Sequence, residues 1–393
     1  MNFEKIKQNI QFPLLVFFVS RAIFLIPALI SLYFLLPYRN APPAGHHLYH
    51  GGSQHPNFWI NAVQKWDAYW FLNVTREGYY WFEVPTKGEN NQEMFDQATN
   101  ITIFPLLPFL MKTLSFGFLD ISIIGVLICN LSFALALIYL FKYLKDHMEL
   151  EIARRTILYF SLFPIAFIYS SIYSESLFIL LSVLVFYFVD KKEYLFAGLC
   201  AMLLTASRTL GIIIIPALLA WLFMDYIRYK KFSLGILIPI IMAPVGIILF
   251  FLWVFHVSGH WNGYFLAQKA WGKSLGTPWN LLEYVFSIFR YNGLDFHKIM
   301  PDAFFIFPVS LFSLWKFHKV SLPLATFWIA GLILSLSATS MVGFSRYTGV
   351  LFPMFIPLAQ LGKNKWIHWI ILGIFLTVGN FCVIGWTNWY FSF

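Results

Sequence analysis

Charge is scarce in this chain. Of its 393 residues only 11% are Asp, Glu, Lys or Arg, where a soluble domain carries roughly a quarter. A polypeptide so poor in charge and 59% hydrophobic cannot present a hydrated surface all round, which excludes an ordinary soluble enzyme. Cysteine is equally scarce. Cys129, Cys200 and Cys382 all lie in apolar segments with no Cys-x-x-Cys spacing, so neither a disulfide framework nor a thiolate metal site is expected. There is no Gly-rich nucleotide loop and no nucleophile elbow. The formal net charge of +9 does not indicate nucleic acid, because the basic residues punctuate apolar runs and form no continuous stripe.

Long apolar runs and aromatics are abundant, with 45 Phe, 20 Tyr and 15 Trp. Runs of roughly 15 to 25 apolar residues predict a polytopic membrane protein. They cover about 12–36, 121–143, 153–171, 175–190, 194–207, 210–227, 233–256, 301–316, 321–340, 345–361 and 366–387. This predicts an all-α bundle of about 11 transmembrane helices, residues 1–393 forming a single membrane domain. The first run, Phe12 to Leu36, is too long for a signal-peptide core and reads as a retained anchor.

Alternate connections carry the cations: Lys5 and Lys7, Lys142 to Arg155, Lys191 and Lys192, Arg228 to Lys231, Lys316 and Lys319, Lys363 and Lys365. The positive-inside rule makes that side cytoplasmic, with the N-terminus inside. Two long connections, 37–120 and 257–300, then lie outside. Ile101 to Phe118 is apolar but broken by Pro105 and Pro108, and counting it as a span would invert the basic loops. It reads as an interfacial or re-entrant helix. Asn73-Val-Thr75 and Asn100-Ile-Thr102 fit the glycosylation sequon.

The polar groups outside the spans converge on the outer side. Asp67 stands in Lys65-Trp66-Asp67-Ala68-Tyr69-Trp70. An acid among aromatics at an interface is costly without a partner or a task. It is a catalytic carboxylate, a helix cap, or one half of a salt bridge with Lys65 or Arg76. Glu175 opens a span, where it either complements the helix dipole or takes part in chemistry. Arg208 and Arg346 occupy short turns on the side that should be poor in arginine. The guanidinium fork suits phosphate, and both residues also suit snorkelling to lipid headgroups. Gln268, Lys269 and Trp271 suit a hydroxylated, anionic substrate or an amphipathic interfacial helix. Arg21, inside the first span, either reaches the cytoplasmic surface or pairs within the bundle. His46, His47, His50 and His55 cluster in a Pro- and Gly-rich loop, where their spacing is weak support for a metal site.

In order along the chain, Trp66-Asp67 with Phe71-Leu72 and Gly78-Tyr79, Phe104-Pro105-Leu-Leu-Pro108, Leu162-Phe163-Pro164, Tyr173-Ser-Glu175, Ser207-Arg208-Thr-Leu-Gly211, Gln268 with Trp271-Gly272, and Ser345-Arg346-Tyr347 with Pro353 resemble the GPI mannosyltransferase II (phosphatidylinositol-glycan class V) family and its bacterial homologues. That family belongs to the GT-C superfamily of polytopic glycosyltransferases. Ala68-Tyr69-Trp70 departs from the smaller residue often found after the Trp-Asp pair. The resemblance implies a GT-C-like bundle whose long first extracytoplasmic loop carries interfacial helices. It implies a hexosyltransferase, with mannose the expected sugar, that uses a polyprenyl-phosphate donor at the extracytoplasmic face. The compact length and missing retrieval signal look bacterial, so a plasma-membrane enzyme with a glycan or glycolipid acceptor is expected. Asp67 would be the base of an inverting displacement, with Glu175 orienting a partner or sharing that role. Arg208 and Arg346 would hold the donor phosphate. Trp66, Tyr173, Gln268, Lys269, Trp271 and Tyr347 would position substrate. No organic cofactor and no metal ligand set is implied, and a divalent-metal requirement stays open. Two other classes fit the composition: a transporter or flippase of lipid-linked sugars, which needs ionisable groups or broken helices near the midplane, and a non-catalytic membrane partner.

Overall fold

The computed structural model describes residues 3–35, 55–81, 99–230, 234–270, 274–277, 279, 283, 286, 302, 307–315, 317–337 and 343–390. In chain order its α-helices are α1 (Phe3–Phe34), α2 (Ala68–Glu77), α3 (Leu106–Leu114), α4 (Ile121–His147), α5 (Leu150–Leu162), α6 (Glu175–Asp190), α7 (Tyr194–Thr205), α8 (Ile214–Tyr229), α9 (Leu237–Ser258), α10 (Gly263–Ala270), α11 (Phe307–Leu314), α12 (Leu322–Leu336), α13 (Phe344–Gly349), α14 (Phe355–Leu361) and α15 (Lys365–Thr387). The expected all-α architecture is present. Among the described residues five helical segments are long and apolar enough to cross a membrane: Asn9–Phe34, Ile121–His147, Thr209–Tyr229, Leu234–Ser258 and Lys365–Thr387. Tyr194–Thr205, Leu322–Leu336 and Phe352–Leu361 are apolar but shorter. The chain is an integral membrane protein.

Helices α4, α6, α7 and α9 pack in succession, α8 lies on α12, and α1 lies between α4 and α15. Gly246 permits the closest of these approaches. A Cβ there would stand 2.0 Å from the Met202 carbonyl oxygen and 2.6 Å from Thr205 Oγ1, so α7 and α9 touch backbone to backbone. Thr205 Oγ1 ties them by donating to the Ala243 carbonyl at 2.6 Å.

Two runs that read as continuous spans are broken. In 153–171, α5 stops at Leu162; Phe163 is extended (φ −54°, ψ 141°) and the chain resumes as a 3-10 turn at Ala166–Ser170. Pro164 has no N–H and disfavours helix in the residue before it, a break that hydropathy alone does not register. Likewise 345–361 is divided into α13, a 3-10 turn at Phe352–Met354 containing Pro353, and α14. The run 301–316 is described as helix only at Phe307–Leu314. The segment Ile101 to Phe118 holds the nine-residue α3. At 1.5 Å per residue α3 is about 14 Å long, too short to cross a bilayer.

The first break has a use. It frees carbonyls that Arg21, on α1, collects: its guanidinium donates to the Ala166 oxygen at 2.6 Å, the Ser161 oxygen at 3.2 Å and Ser170 Oγ at 3.1 Å. Arg21 therefore pairs inside the bundle. It fastens α1 to the broken segment and does not reach for the cytoplasmic surface.

Charges sit at opposite ends of the same helices. Helix α6 has 16 residues, from Glu175 to Asp190, whose ends lie about 22 Å apart at 1.5 Å per residue. At the far end His147 meets Asp190 at 2.9 Å, Lys191 meets Asp146 at 2.9 Å and Lys363 meets Glu149 at 2.8 Å. These are the basic connections of the sequence.

Candidate active site

At the other end, four residues from four distant places form one ionic cluster. Arg346, in α13, reaches Asp67 with Nη1 to Oδ2 at 2.7 Å. Its Nε lies 3.7 Å from Glu175 Oε1. The same Oε1 meets Arg208 Nη1 at 2.6 Å. The Glu175, Arg346 and Arg208 side chains are 2%, 8% and 9% exposed, whereas Asp67 is 40% exposed. The two carboxylates thus differ in kind. Glu175 is a dry counter-ion between two guanidinium groups, and Asp67 is a wet-edged one. Glu175 Oε2 is buried without a hydrogen-bond partner among the described residues.

Local structure explains each position. Asp67 occupies the N-cap place of α2, but its side chain makes no cap bond, so the cap reading fails for the carboxylate. The salt-bridge partner is neither Lys65 nor Arg76, the cations within local reach, but Arg346. Tyr173 fixes the backbone. Its hydroxyl accepts from the Asp67 N–H at 3.0 Å and donates to the Lys65 carbonyl at 2.9 Å. Burial, then the neighbouring Asp67, push the Tyr173 phenol well above its usual pKa, so it keeps the proton that this bond needs. Trp66, spanned by that clamp, has φ 54°, a left-handed conformation that costs a bulky residue about 1–2 kcal/mol. Its indole N–H donates to the Trp386 carbonyl at 3.3 Å and its ring lies 5.0 Å from Trp389. The structure shows an anchoring contact for Trp66 at the end of α15.

Arg208 follows α7 in a turn that Gly211 makes possible, since a Cβ at Gly211 would stand 2.4 Å from the Leu204 carbonyl oxygen. Each arginine lies over a tyrosine, Arg208 over Tyr347 at 5.1 Å and Arg346 over Tyr173 at 5.0 Å. Such cation–π contacts steady a guanidinium without consuming its N–H donors. Gln268 joins indirectly. Its amide donates to the Tyr264 hydroxyl at 3.0 Å, and that hydroxyl bonds Thr209 Oγ1 at 2.6 Å, next to Arg208. Lys269 is exposed and makes no ion pair with the cluster among the described residues, and Trp271 lies outside the described residues.

The sequence reading did not single out Asp302, which is fully buried and accepts from the Ser345 N–H at 3.1 Å beside Arg346. It also missed an apolar groove of about 550 Å³ lined by Val74, Gly78, Pro108, Ala206, Gly246 and Trp253, among others. Ala206 places this groove two residues from Arg208. No group of three or more His, Cys, Asp or Glu side chains suited to a metal occurs among the described residues. His46, His47 and His50 lie outside them, and His55 pairs with Asp120 at 3.0 Å. The sequon asparagines face each other, Asn100 Nδ2 donating to Asn73 Oδ1 at 2.8 Å, and both are buried.

Fold and site thus define a polytopic helical membrane protein with a buried ionic cluster at one end of the bundle and an apolar groove beside it. The profile of the mannosyltransferase (PIG-V) family matches residues 12–289, and the chain belongs to that family. No curated protein matches it. Among solved structures it is similar to the Archaeoglobus fulgidus oligosaccharyltransferase in its apo form, with TM-score 0.46 and 10% identity over 95% of this chain and 56% of that one. Similarity to the same protein with an inhibitory peptide and a dolichol-phosphate has TM-score 0.43 and 12% identity, again over 95% and 56%. The chain therefore spans little more than half the length of that protein.

Proposed function

We propose that this protein is a membrane mannosyltransferase that moves the sugar from a polyprenyl-phosphate donor to a glycan or lipid-linked acceptor. Family membership supports the reaction class. The observation that carries the mechanism is the 2.7 Å contact between the part-exposed Asp67 and the buried Arg346.

In this reading Asp67 holds Arg346 in place until the donor arrives. The donor phosphodiester takes over the guanidinium, with Arg208 as second cation, and Asp67 is released as a free base. Asp67 then removes the proton from the acceptor hydroxyl while that oxygen attacks the anomeric carbon. The bond from that carbon to the phosphate oxygen breaks, and the electron pair leaves with polyprenyl phosphate. The new glycosidic bond has inverted configuration, and the proton rests on Asp67. The charge gained by the departing phosphate is met by guanidinium groups already oriented for it, which lowers the barrier without reorganisation. Glu175 is too buried to meet an acceptor and serves as the orienting counter-ion. The groove beside Arg208 receives the first isoprene units of the tail. The basic far end of the helices supports a cytoplasmic assignment for that side and an extracytoplasmic one for the cluster. In a transporter Arg21 would be the natural mobile charge, but here two carbonyl and two serine oxygens hold it, which favours the enzyme.

The test is sugar transfer by purified protein in lipid, with a panel of polyprenyl-phosphate sugars and host lipid extract. Transfer by wild type, reduced about a hundredfold or more in a folded Asp67→Asn variant, is the expected result for loss of a general base. Equal rates from both proteins would remove Asp67 from the chemistry.

A further inference from the structure

A chain of neutral polar groups runs into the same end of the bundle as the ionic cluster. On α10, Tyr264 and Gln268 stand four residues apart and share a helix face. The Gln268 amide donates to the Tyr264 hydroxyl at 3.0 Å, and that hydroxyl lies 2.6 Å from Thr209 Oγ1. Tyr264 is 6% exposed, and these are its only hydrogen bonds among the described residues. Its oxygen accepts from Gln268, so its single proton has one acceptor in reach, Thr209 Oγ1. If Thr209 donated instead, a buried phenolic proton would be left unpaired, at the full cost of its desolvation. The chain therefore has a direction: Gln268 gives to Tyr264, and Tyr264 gives to Thr209. Burial pushes the Tyr264 phenol up to about 12, so it holds that proton at neutral pH. Thr209 keeps its own proton, which meets no acceptor among the described residues.

The end of this chain adjoins both parts of the donor site. Arg208 lies over Tyr347 at 5.1 Å, and both residues act electrostatically on the Tyr264 phenol, so guanidinium and hydroxyls share one neighbourhood. The Tyr264 ring packs on Phe250 at 6.1 Å. Phe250 in turn lines the apolar groove, whose walls come from α2, α3, α7 and α9. Thr209 itself is only partly buried, which leaves its hydroxyl accessible to a ligand. A hydroxyl whose oxygen is engaged and whose proton is not acts as a donor. Beside a guanidinium, the group that complements it is an oxyanion.

We propose that Thr209 donates a hydrogen bond to the phosphate of the polyprenyl donor, and that Tyr264 and Gln268 are positioning residues that keep its hydroxyl turned toward that phosphate. This rests on the glycosyltransferase reading and adds a neutral donor to its two arginines.

The test is a binding titration that separates phosphate from tail and does not depend on turnover. Wild type, Thr209→Val, Thr209→Ser and Gln268→Met proteins in phosphatidylcholine nanodiscs are titrated with citronellyl phosphate and with citronellol, the same short isoprenoid without its phosphate. Wild type should bind the phosphate about tenfold or more tightly than the alcohol, as the donor reading requires. Thr209→Val should weaken citronellyl phosphate about tenfold, the loss of one hydrogen bond to a charged group, and leave citronellol unchanged. Thr209→Ser keeps the hydroxyl and should stay within about threefold of wild type. Gln268→Met should lose about threefold or more on the phosphate alone, because Tyr264 can then accept from Thr209 and draw its proton away from the ligand. Thr209→Val at wild-type affinity, with the phosphate still preferred to the alcohol, would overturn this inference and leave the donor site standing. Equal weakening of both ligands in Thr209→Val would overturn it too, since the residue would then only shape the groove. A wild type that does not distinguish phosphate from alcohol would overturn the donor reading and this inference with it. Gln268→Met at wild-type affinity beside a weakened Thr209→Val would strike the positioning role of Tyr264 and Gln268. Thermal unfolding checks that each variant is folded, and if Thr209→Val unfolds early the part-exposed Gln268→Met carries the comparison.

Discussion

Glu175→Gln and Asp67→Asn remove the same charge from the same cluster and should have opposite consequences. Glu175 is 2% exposed and lies between guanidinium groups that are 8% and 9% exposed. Neutralising it takes the 2.6 Å carboxylate from Arg208 and leaves Arg346 only the part-exposed Asp67 at this junction, whereas Asp67→Asn leaves the buried Glu175 between both guanidinium groups. Breaking a buried pair on one side costs about 3–5 kcal/mol, and the unfolding midpoint should fall accordingly. Asp67 is 40% exposed, so solvent screens its contact with Arg346 and reduces it to about 0–1 kcal/mol. Asp67→Asn should unfold close to wild type yet transfer sugar about a hundredfold to ten-thousandfold more slowly. The assay pairs thermal unfolding in detergent with initial transfer rates in liposomes. A comparable loss of stability in both variants would refute the division of labour. So would an Asp67→Asn protein with transfer within threefold of wild type.

Other outcomes follow from single contacts. Gly246→Ala should separate α7 from α9 and destabilise the protein by about 1–3 kcal/mol, as overpacking does, read as a lowered denaturation midpoint. Arg21→Met should cost about 3 kcal/mol, because it strips charged donors from the Ala166 and Ser161 carbonyls; unfolding in graded denaturant measures it. For Lys65, burial lowers the folded-state pKa from 10.5 to about 8. Between those values the unfolded chain holds a proton that the folded chain has released, so this residue makes stability rise as pH is raised from about 8 to 10.5. The rise should be absent in Lys65→Met when the two thermal unfolding profiles are compared across that window.

Much of the architecture was legible because a bilayer demands long apolar helices, and hydropathy reads these directly. The first anchor, the long α4 and the final α15 lie within a few residues of their expected bounds. The breaks at Phe163-Pro164 and within 345–361 were not legible from hydropathy, since apolar composition persists through them. Proline was the available signal. The candidate site was half legible. Asp67, Glu175, Arg208 and Arg346 stood out as charges where charge is expensive, and the fold brings all four together. What sequence spacing does not give is the pairing, because local spacing offers Asp67 only Lys65 and Arg76 whereas its partner Arg346 lies in α13. Nor does spacing show that Glu175 is dry and Asp67 wet, because that depends on which helix ends surround them.

The tyrosine clamp has a mechanical consequence. One residue, Tyr173, holds the backbone on both sides of Trp66 with its hydroxyl and supports Arg346 with its ring. Acid and guanidinium are therefore surveyed from a common benchmark. When bilayers of different thickness tilt the surrounding helices, the two groups shift as a pair, and the gap between them is buffered against the lipid in which the protein finds itself.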